Sequence, residues 1–182
     1  TPTTVWIAYS TDPDLAGVDV TTFAGSSAGF AQGTRLNAQF NTPRGLAVDA
    51  DGTLFIADTA NHRIRAIDPS GNTRVIAGTG SHGFAEGAAA QAQFDSPTGV
   101  VVASDGTLYV TDTGNHRIRA ISPTGTVSTL AGSGTQGNTD GDADAALFNN
   151  PWGIAMETDN ILYVADRDND NIRKLTRSPQ GK

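Results

Sequence analysis

A repeat of 54 residues constrains this chain more than any other feature of its sequence. Phe40, Phe94 and Phe148 are evenly spaced, because 94 − 40 and 148 − 94 both equal 54. The same step separates six more sets of three identical residues, which begin at Pro43, Gly45, Asp58, Asn61, Ile64 and Arg65. Chance does not keep so many columns in register, so the chain contains three copies of one structural unit.

Turn signals divide each unit into four short segments. In the first unit, residues 45–49 are followed by the hairpin signal Asp51-Gly52 and then by the apolar residues 54–57. Two further segments, 62–67 and 74–77, follow after turns. Each unit is therefore predicted to be a four-stranded antiparallel meander, with strands a, b, c and d from the centre outward. Four strands per repeat of this length are typical of a β-propeller blade, so the predicted fold class is all-β.

Three stretches resemble the NHL repeat: residues 112–119 (Asp-Thr-Gly-Asn-His-Arg-Ile-Arg), the strand end Ala131-Gly132, and residues 148–153 (Phe-Asn-Asn-Pro-Trp-Gly). The resemblance implies a propeller, which has six blades in members of that family. The Gly-rich links at 83–87 and 137–141 are similar to those of longer NHL units in large bacterial extracellular proteins. Because the family includes lyases, RNA-binding proteins and scaffolds, the resemblance implies a fold rather than one function.

The spacing predicts that residues 1–182 form a single propeller segment of about three blades. It places a partial blade at 1–25, blade 1 at 40–78, blade 2 at 94–132 and blade 3 at 148–177. Blade 3 stops before a strand d. Residues 18–24 match strand d of the other blades, and residues 5–9 form one more expected strand that has no place in this scheme.

Three blades cover about half of a six-bladed ring, which leaves two apolar blade faces and an open strand edge. We therefore expect two copies to associate as a homodimer that closes the ring. In this arrangement, residues 18–24 of each copy complete blade 3 of the other, so both junctions close. The chain begins at Thr1 rather than at methionine, which predicts a piece processed or excised from a longer polypeptide.

The charge balance bears on the class of partner. With 12 basic and 19 acidic residues the net charge is −7, which argues against nucleic acid as the main partner. Arg63, Arg65, Arg117, Arg119 and Arg173 recur along strand c, and the alternation predicts that the arginines face outward while the isoleucines face inward. The chain has no cysteine and no apolar run near the roughly 20 residues of a membrane helix, so thiol chemistry and a membrane span are not expected.

Metal binding has weak candidates. His62, His116 and Asp170 share one repeat position and could ligate zinc at a channel mouth, although the recurrence favours a role in packing the turn. Two acidic strings, 140–144 and 166–170, alternate carboxylates as calcium loops do, but both lack the glycine and the glutamate that an EF-hand requires. No metal and no cofactor is therefore predicted. The recurring Asp58, Asp112 and Asp166 are expected to accept backbone N–H groups at a strand end.

Positions that differ between the units are the better candidates for a specific site. Arg44, Thr98 and Trp152 share one repeat position, directly before the innermost strand, so they are expected at the channel mouth. Arg167 stands where the other units have Thr59 and Thr113. Because propeller ligands bind where such loops converge on the axis, Arg44, Thr98, Trp152 and Arg167 form the predicted ligand-binding set.

The predicted function is a non-catalytic binding or interaction module whose ligand, a protein, peptide or glycan, binds at the channel mouth. Two alternatives remain open: a metal-assisted propeller enzyme that uses His62, His116 and Asp170, and a purely structural propeller fragment. The resemblance to bacterial extracellular proteins implies a secreted or cell-surface protein. No nucleophile elbow, phosphate loop or isolated carboxylate pair favours catalysis.

Overall fold

The computed structural model describes residues 19–177, which form three antiparallel sheets and no α-helix. Blade 1 contains β2 (Pro43–Val48), β3 (Leu54–Asp58), β4 (Arg63–Ile67) and β5 (Asn72–Ala77), with the short β1 (Gly33–Thr34) beside β5. Blade 2 repeats this order with β7 (Pro97–Val102), β8 (Leu108–Asp112), β9 (Arg117–Ile121) and β10 (Thr126–Ala131), with β6 (Gly87–Ala88) beside β10. Blade 3 contains β11 (Pro151–Thr158), β12 (Ile161–Asp166) and β13 (Asn171–Thr176).

The predicted all-β fold of antiparallel meanders is confirmed, with about three blades. Within the meander of each blade every strand pairs with the next one along the chain, and the two-residue β1 and β6 add a fifth strand beside β5 and β10. The third sheet has three strands in the part of the chain that the structure describes, and β13 forms its edge. Residues 19–24 contain no assigned strand. The strand expected at 5–9 lies outside the described residues, as does residue 18.

The turn between strands b and c has the same geometry in every blade. A three-residue 3-10 turn is followed by a residue in the left-handed region: His62 (φ 51°), His116 (φ 52°) and Asp170 (φ 54°). Before each turn, the carboxylate of Asp58, Asp112 or Asp166 accepts a backbone N–H at 2.7 Å. The predicted role of these aspartates is confirmed.

The prediction that the strand c arginines face outward is wrong for Arg65, Arg119 and Arg173, which are all buried. Arg119 donates to the Asp112 carboxylate at 2.8 Å and to two backbone carbonyls, and its guanidinium lies over the Phe94 ring. The alternation of arginine and isoleucine predicted exposed arginines because this inference assumes a sheet that is covered on one face only. Here both faces of a blade are covered, and the buried charge is compensated by a carboxylate on strand b.

Neighbouring blades share apolar cores. Phe94 packs with Ile64 and Ala77 of blade 1, and Phe148 packs with Ile118 and Ala131 of blade 2. Burial of one such ring contributes about 1.5–3 kcal/mol. The repeat position of phenylalanine therefore joins consecutive blades.

Glycines bring the innermost strands close together. A Cβ at Gly45 would lie 2.5 Å from the backbone oxygen of Thr98, and a Cβ at Gly99 would lie 2.8 Å from that of Trp152. Strands β2, β7 and β11 therefore run side by side, and the residues that precede these glycines lie at one end of the propeller axis. None of the helical turns between residues 19 and 177 is long or apolar enough to cross a membrane.

Candidate functional site

The structure brings Arg44, Thr98 and Trp152 together. Each is the second residue of an innermost strand, β2, β7 or β11, and all three line one cavity of about 240 Å³. We call this end of the propeller axis the mouth. The cavity is large enough for a side chain or one sugar ring and smaller than a typical drug-sized pocket. The variable repeat position thus forms a continuous surface from three blades.

Two arginines lie over the indole of Trp152. The guanidinium carbon of Arg44 is 4.3 Å from the ring centre and that of Arg167 is 4.4 Å from it. Both distances are within the range of cation–π attraction, which favours a guanidinium near an indole face. Arg44, Trp152 and Arg167 are called the mouth cluster below. Three of the four predicted ligand-binding residues therefore form one group around an aromatic ring.

The two arginines of the mouth cluster differ in their ion pairs. Arg167 donates to both carboxylate oxygens of Asp168, at 2.6 and 3.1 Å, and Asn150 donates to the same carboxylate at 2.5 Å. These hydrogen bonds lower the pKa of Asp168 to about 2. Within residues 19–177, Arg44 has neither an ion-pair partner nor a hydrogen-bond acceptor, so its donors are available to an external anion.

Thr98 lines the cavity, but its hydroxyl is used inside the protein. The side chain is buried, and its oxygen lies 3.1 Å from the Thr111 hydroxyl and 2.7 Å from the Thr113 hydroxyl. It also donates to the backbone oxygen of Trp152 at 2.8 Å, as does Thr111 at 2.6 Å. This network fixes the backbone beneath the indole, so Thr98 positions Trp152.

The metal candidates lie at the contacts between blades. Nδ1 of His62 accepts the backbone N–H of Ser96 at 3.1 Å, and Nδ1 of His116 accepts that of Asn150 at 3.0 Å. Burial lowers the pKa of His62, although nearby Asp95 opposes this effect. Across the described residues, no three His, Asp or Glu side chains are arranged to hold a metal ion.

The acidic strings are occupied by ion pairs and hydrogen bonds. Asp166 is buried and pairs with Arg173 at 3.0 Å, while Asp140 pairs with the same arginine at 2.7 Å. In the Gly-rich link between blades 2 and 3, the carbonyl of Asp142 caps a turn by accepting the N–H groups of Ala145 and Ala146. The carboxylates of Asp140 and Asp166 therefore serve the packing of blade 3.

The predicted ligand-binding set did not include Asp168 or Asn150, although the sequence showed Asp168 beside Arg167 at a position that differs between the units. A signal was present, because both depart from the repeat: blades 1 and 2 have Ala60 and Gly114 in place of Asp168. The pairing of Arg167 with its own neighbour depends on the geometry of the 3-10 turn. The 3-10 turn carries Asp168 to the edge of the mouth, and Asn150 reaches the same carboxylate from its place directly before β11.

Comparison with protein families gives three matches to one repeat. The NHL repeat matches residues 40–67, 94–121 and 148–175. These are the three units that the 54-residue spacing defines. Protein SUPPRESSOR OF QUENCHING 1, chloroplastic, from Arabidopsis thaliana is 35% identical over 153 residues. The match covers 78% of this chain and 14% of that protein, so the chain spans a small part of its relative.

Solved structures show the same fold. A protein of unknown function from Bacteroides thetaiotaomicron has a TM-score of 0.71 and 25% identity, with 79% of this chain and 38% of that chain covered. A protein from the same organism described as an auxiliary nutrient binding protein has a TM-score of 0.64 and 29% identity, with 71% and 36% covered. The described residues thus correspond to well under half of these propeller structures.

Proposed function

Because the chain belongs to the NHL-repeat family of β-propellers, we propose that it is a non-catalytic binding module whose mouth cluster takes a carboxylate-bearing ligand. The proposal rests mainly on the position of the Arg44 guanidinium. This group lies over the half-buried Trp152 ring and has no hydrogen-bond acceptor within residues 19–177. A guanidinium offers a planar pair of N–H donors that matches the two oxygens of a carboxylate. The indole beside it supplies apolar area to the group that carries the carboxylate.

The charge around the mouth favours a single negative charge on the ligand. Asp168 remains ionised because its pKa is about 2, and the whole chain carries −7. A doubly charged phosphate meets more repulsion from this field than a carboxylate does. A uronic acid or an acidic peptide therefore suits the mouth better than a phosphorylated ligand.

The description of one solved neighbour agrees with a binding role. One solved neighbour at 29% identity is described as an auxiliary nutrient binding protein from a bacterium. A secreted or cell-surface location in a bacterium goes with this proposal, since an external carboxylate ligand would meet the module there. No contact among the described residues favours the metal-assisted alternative, because both histidines are used at blade contacts.

Calorimetric titration of the 182-residue chain tests the proposal. The probes are galacturonic acid, a terminally blocked peptide with a single glutamate, and galactose as the neutral probe, each at low ionic strength. We expect saturable binding of an acidic probe and none of the neutral one, and the two acidic probes distinguish a glycan from a peptide. Absence of binding by both acidic probes would contradict the proposal.

Variants locate the binding. Arg44→Gln is expected to weaken binding of the acidic probe at least about tenfold, which corresponds to about 1.4 kcal/mol. Arg74→Gln is the matched control, because Arg74 is an exposed arginine on β5, far along the blade from the mouth. Equal effects of the two variants would show a general charge effect and would overturn the assignment to the mouth cluster.

A further inference from the structure

The two junctions inside the chain show which surfaces a blade uses to contact the next one. Ile64 in blade 1 and Ile118 in blade 2 are 0% exposed, because each packs beneath the following blade. Ile172 has the same repeat position in blade 3 and is 69% exposed. We call this surface, beside β13, the open face of blade 3.

Blade 1 has a complementary open face on its opposite side. Leu46 is 60% exposed, whereas Val100, at the same repeat position in blade 2, is 3% exposed and belongs to the core between blades 1 and 2. Val48 beside it is also largely exposed. The two open faces are thus the two halves of a junction that is formed twice within residues 19–177.

Gly153 points to the same missing neighbour. Gly45 and Gly99 are required because a Cβ would meet the backbone oxygen of position 98 or 152 on the next inner strand. A Cβ at Gly153 would have a single neighbour within 4 Å, the side chain of Ala165 at 3.7 Å. Packing within the described residues does not explain this glycine. A third junction does, because it would place the backbone oxygen of a second Arg44 against it.

A polar contact is also half-formed on each open face. His62 and His116 accept the backbone N–H of Ser96 and Asn150, which have positive φ values of 52°. Asp170 replaces the histidine in blade 3 and carries acceptor oxygens. On the open face of blade 1, Thr42 keeps the same backbone conformation at φ 46°. Asp170 of one copy can therefore accept the N–H of Thr42 from another.

Residues 19–24 have the repeat position of a strand d, but they pair with no strand within residues 19–177. Gly25 donates to the Arg35 carbonyl at 2.8 Å as Gly78 donates to that of Ala89 at 3.0 Å, which aligns residues 19–24 with β5. In this alignment Val20 corresponds to Thr73 and Val127, which are 6% and 1% exposed, yet Val20 itself is 94% exposed. Within residues 19–177 no strand pairs with the outer edge of β13, and a groove of about 620 Å³ lies beside that edge.

We infer that a second copy of this chain covers both open faces, so that two half rings close one six-bladed propeller. Residues 19–24 of each copy pair with β13 of the other. The register of β4 and β5 carries over, with Val20 opposite Leu175, Thr21 opposite Lys174, and Ala24 opposite Ile172. The contact is isologous about a two-fold axis along the channel, because each copy offers one face of each kind. An unpaired strand edge and an exposed apolar face are the features that such an interface removes.

Sedimentation velocity of the full chain at micromolar concentration tests the inference. We expect a single species of twice 18.8 kDa. Val20→Asp is expected to dissociate it, whereas Thr21→Asp, at a neighbouring residue that faces solvent and Lys174, leaves the dimer intact. A monomeric wild type, with residues 1–18 covering the open faces or with the faces left bare, would overturn the inference. So would a dimer that Val20→Asp does not weaken.

The Gly153→Ala variant distinguishes an effect on the interface from an effect on folding. Its Cβ meets nothing closer than 3.7 Å in one copy, so circular dichroism is expected to show a folded protein. Dissociation is nevertheless expected, because the equivalent Cβ at Gly45 would lie 2.5 Å from a backbone oxygen. A folded Gly153→Ala variant that remains dimeric would contradict the proposed junction.

Engineered cysteines test the register, since the chain has none of its own. The Thr21→Cys, Lys174→Cys pair is expected to form an interchain disulfide, because directly opposed residues lie about 4.5–5.5 Å apart. The Thr21→Cys, Thr176→Cys pair is offset by two residues, at about 7–8 Å, and serves as the control. Equal cross-linking of both pairs, or of neither, would contradict the strand exchange.

Discussion

The guanidinium carbon of Arg44 lies 4.3 Å from the centre of the Trp152 ring, although blade 2 stands between their two blades. Blade 2 offers Thr98 at this position, a small side chain whose hydroxyl turns inward to the Trp152 carbonyl. A short residue between two long ones lets the arginine reach across. The differences within one repeat position thus create the surface on which we expect ligand recognition.

Trp152→Ala is predicted to abolish ligand binding at a modest cost in stability. The indole is half-buried and lies at the mouth, so its truncation removes less packing than truncation of a core ring. The free energy of unfolding, measured by urea denaturation, is expected to fall by less than the roughly 3–5 kcal/mol typical of a core aromatic. Phe94→Ala is the control from the core. Equal losses for the two variants would make Trp152 a packing residue.

Arg119→Met is predicted to destabilise the fold strongly, because it leaves the buried Asp112 carboxylate without its cation. The expected loss is about 3–5 kcal/mol. Adding Asp112→Asn should recover part of this loss, since the uncompensated charge is then gone, and a double-mutant cycle measures the coupling. Additive effects of the two substitutions would show that the pair is not coupled. Arg74→Met on exposed β5 should change stability little.

Thr98→Val tests the support beneath the indole. The substitution keeps the shape but removes the hydroxyl that contacts Thr111, Thr113 and the Trp152 carbonyl. Leaving these buried partners without a hydrogen bond is expected to lower the free energy of unfolding by about 1–3 kcal/mol. In a Trp6→Phe background, where Trp152 is the one remaining tryptophan, the fluorescence of Trp152 should change as well. Thr124→Val at an exposed turn is the matched control. An unchanged emission spectrum would mean that Thr98 does not position the ring.

The pKa of Asp168 reports whether Arg167 is held at the mouth. Hydrogen bonds from Arg167 and Asn150 lower this pKa to about 2, and carbon-detected NMR titration of the carboxyl group measures it. Because the folded-state pKa lies below the ordinary value of 3.8, the stabilisation from this carboxylate is complete above about pH 4 and is lost as the pH falls toward 2. Arg167→Ala should return the pKa toward 3.8. A pKa near 3.8 in the wild type would contradict the ion pair.

Much of the fold followed from the repeat, because residues that recur every 54 positions must occupy equivalent places in equivalent blades. The outward orientation expected for Arg119 failed because local alternation contains no information about a neighbouring blade. Its partner Asp112 is seven residues away on another strand, so only the sheet register shows that the charge is compensated. The alternation of polar and apolar residues along a strand therefore does not predict buried ion pairs of this kind.

The mouth was predictable only in part, and for a physical reason. Arg44 and Trp152 were identified because they differ at a repeat position whose place near the axis is fixed by the blade. The pairing of Arg167 with Asp168 was missed, because it arises between adjacent side chains on one turn and has no counterpart in the other blades. Repetition predicts the scaffold well and says little about contacts that occur once.

The indole N–H resonance of Trp152 tests the central claim most directly. In a Trp6→Phe background Trp152 is the one remaining tryptophan, so its signal in a proton–nitrogen correlation spectrum is unambiguous. The account predicts that this signal shifts saturably with a carboxylate-bearing probe, that a neutral sugar leaves it in place, and that Arg44→Gln removes the response. A signal that stays fixed while the acidic probe binds elsewhere on the protein would contradict the assignment of the mouth cluster as the binding site.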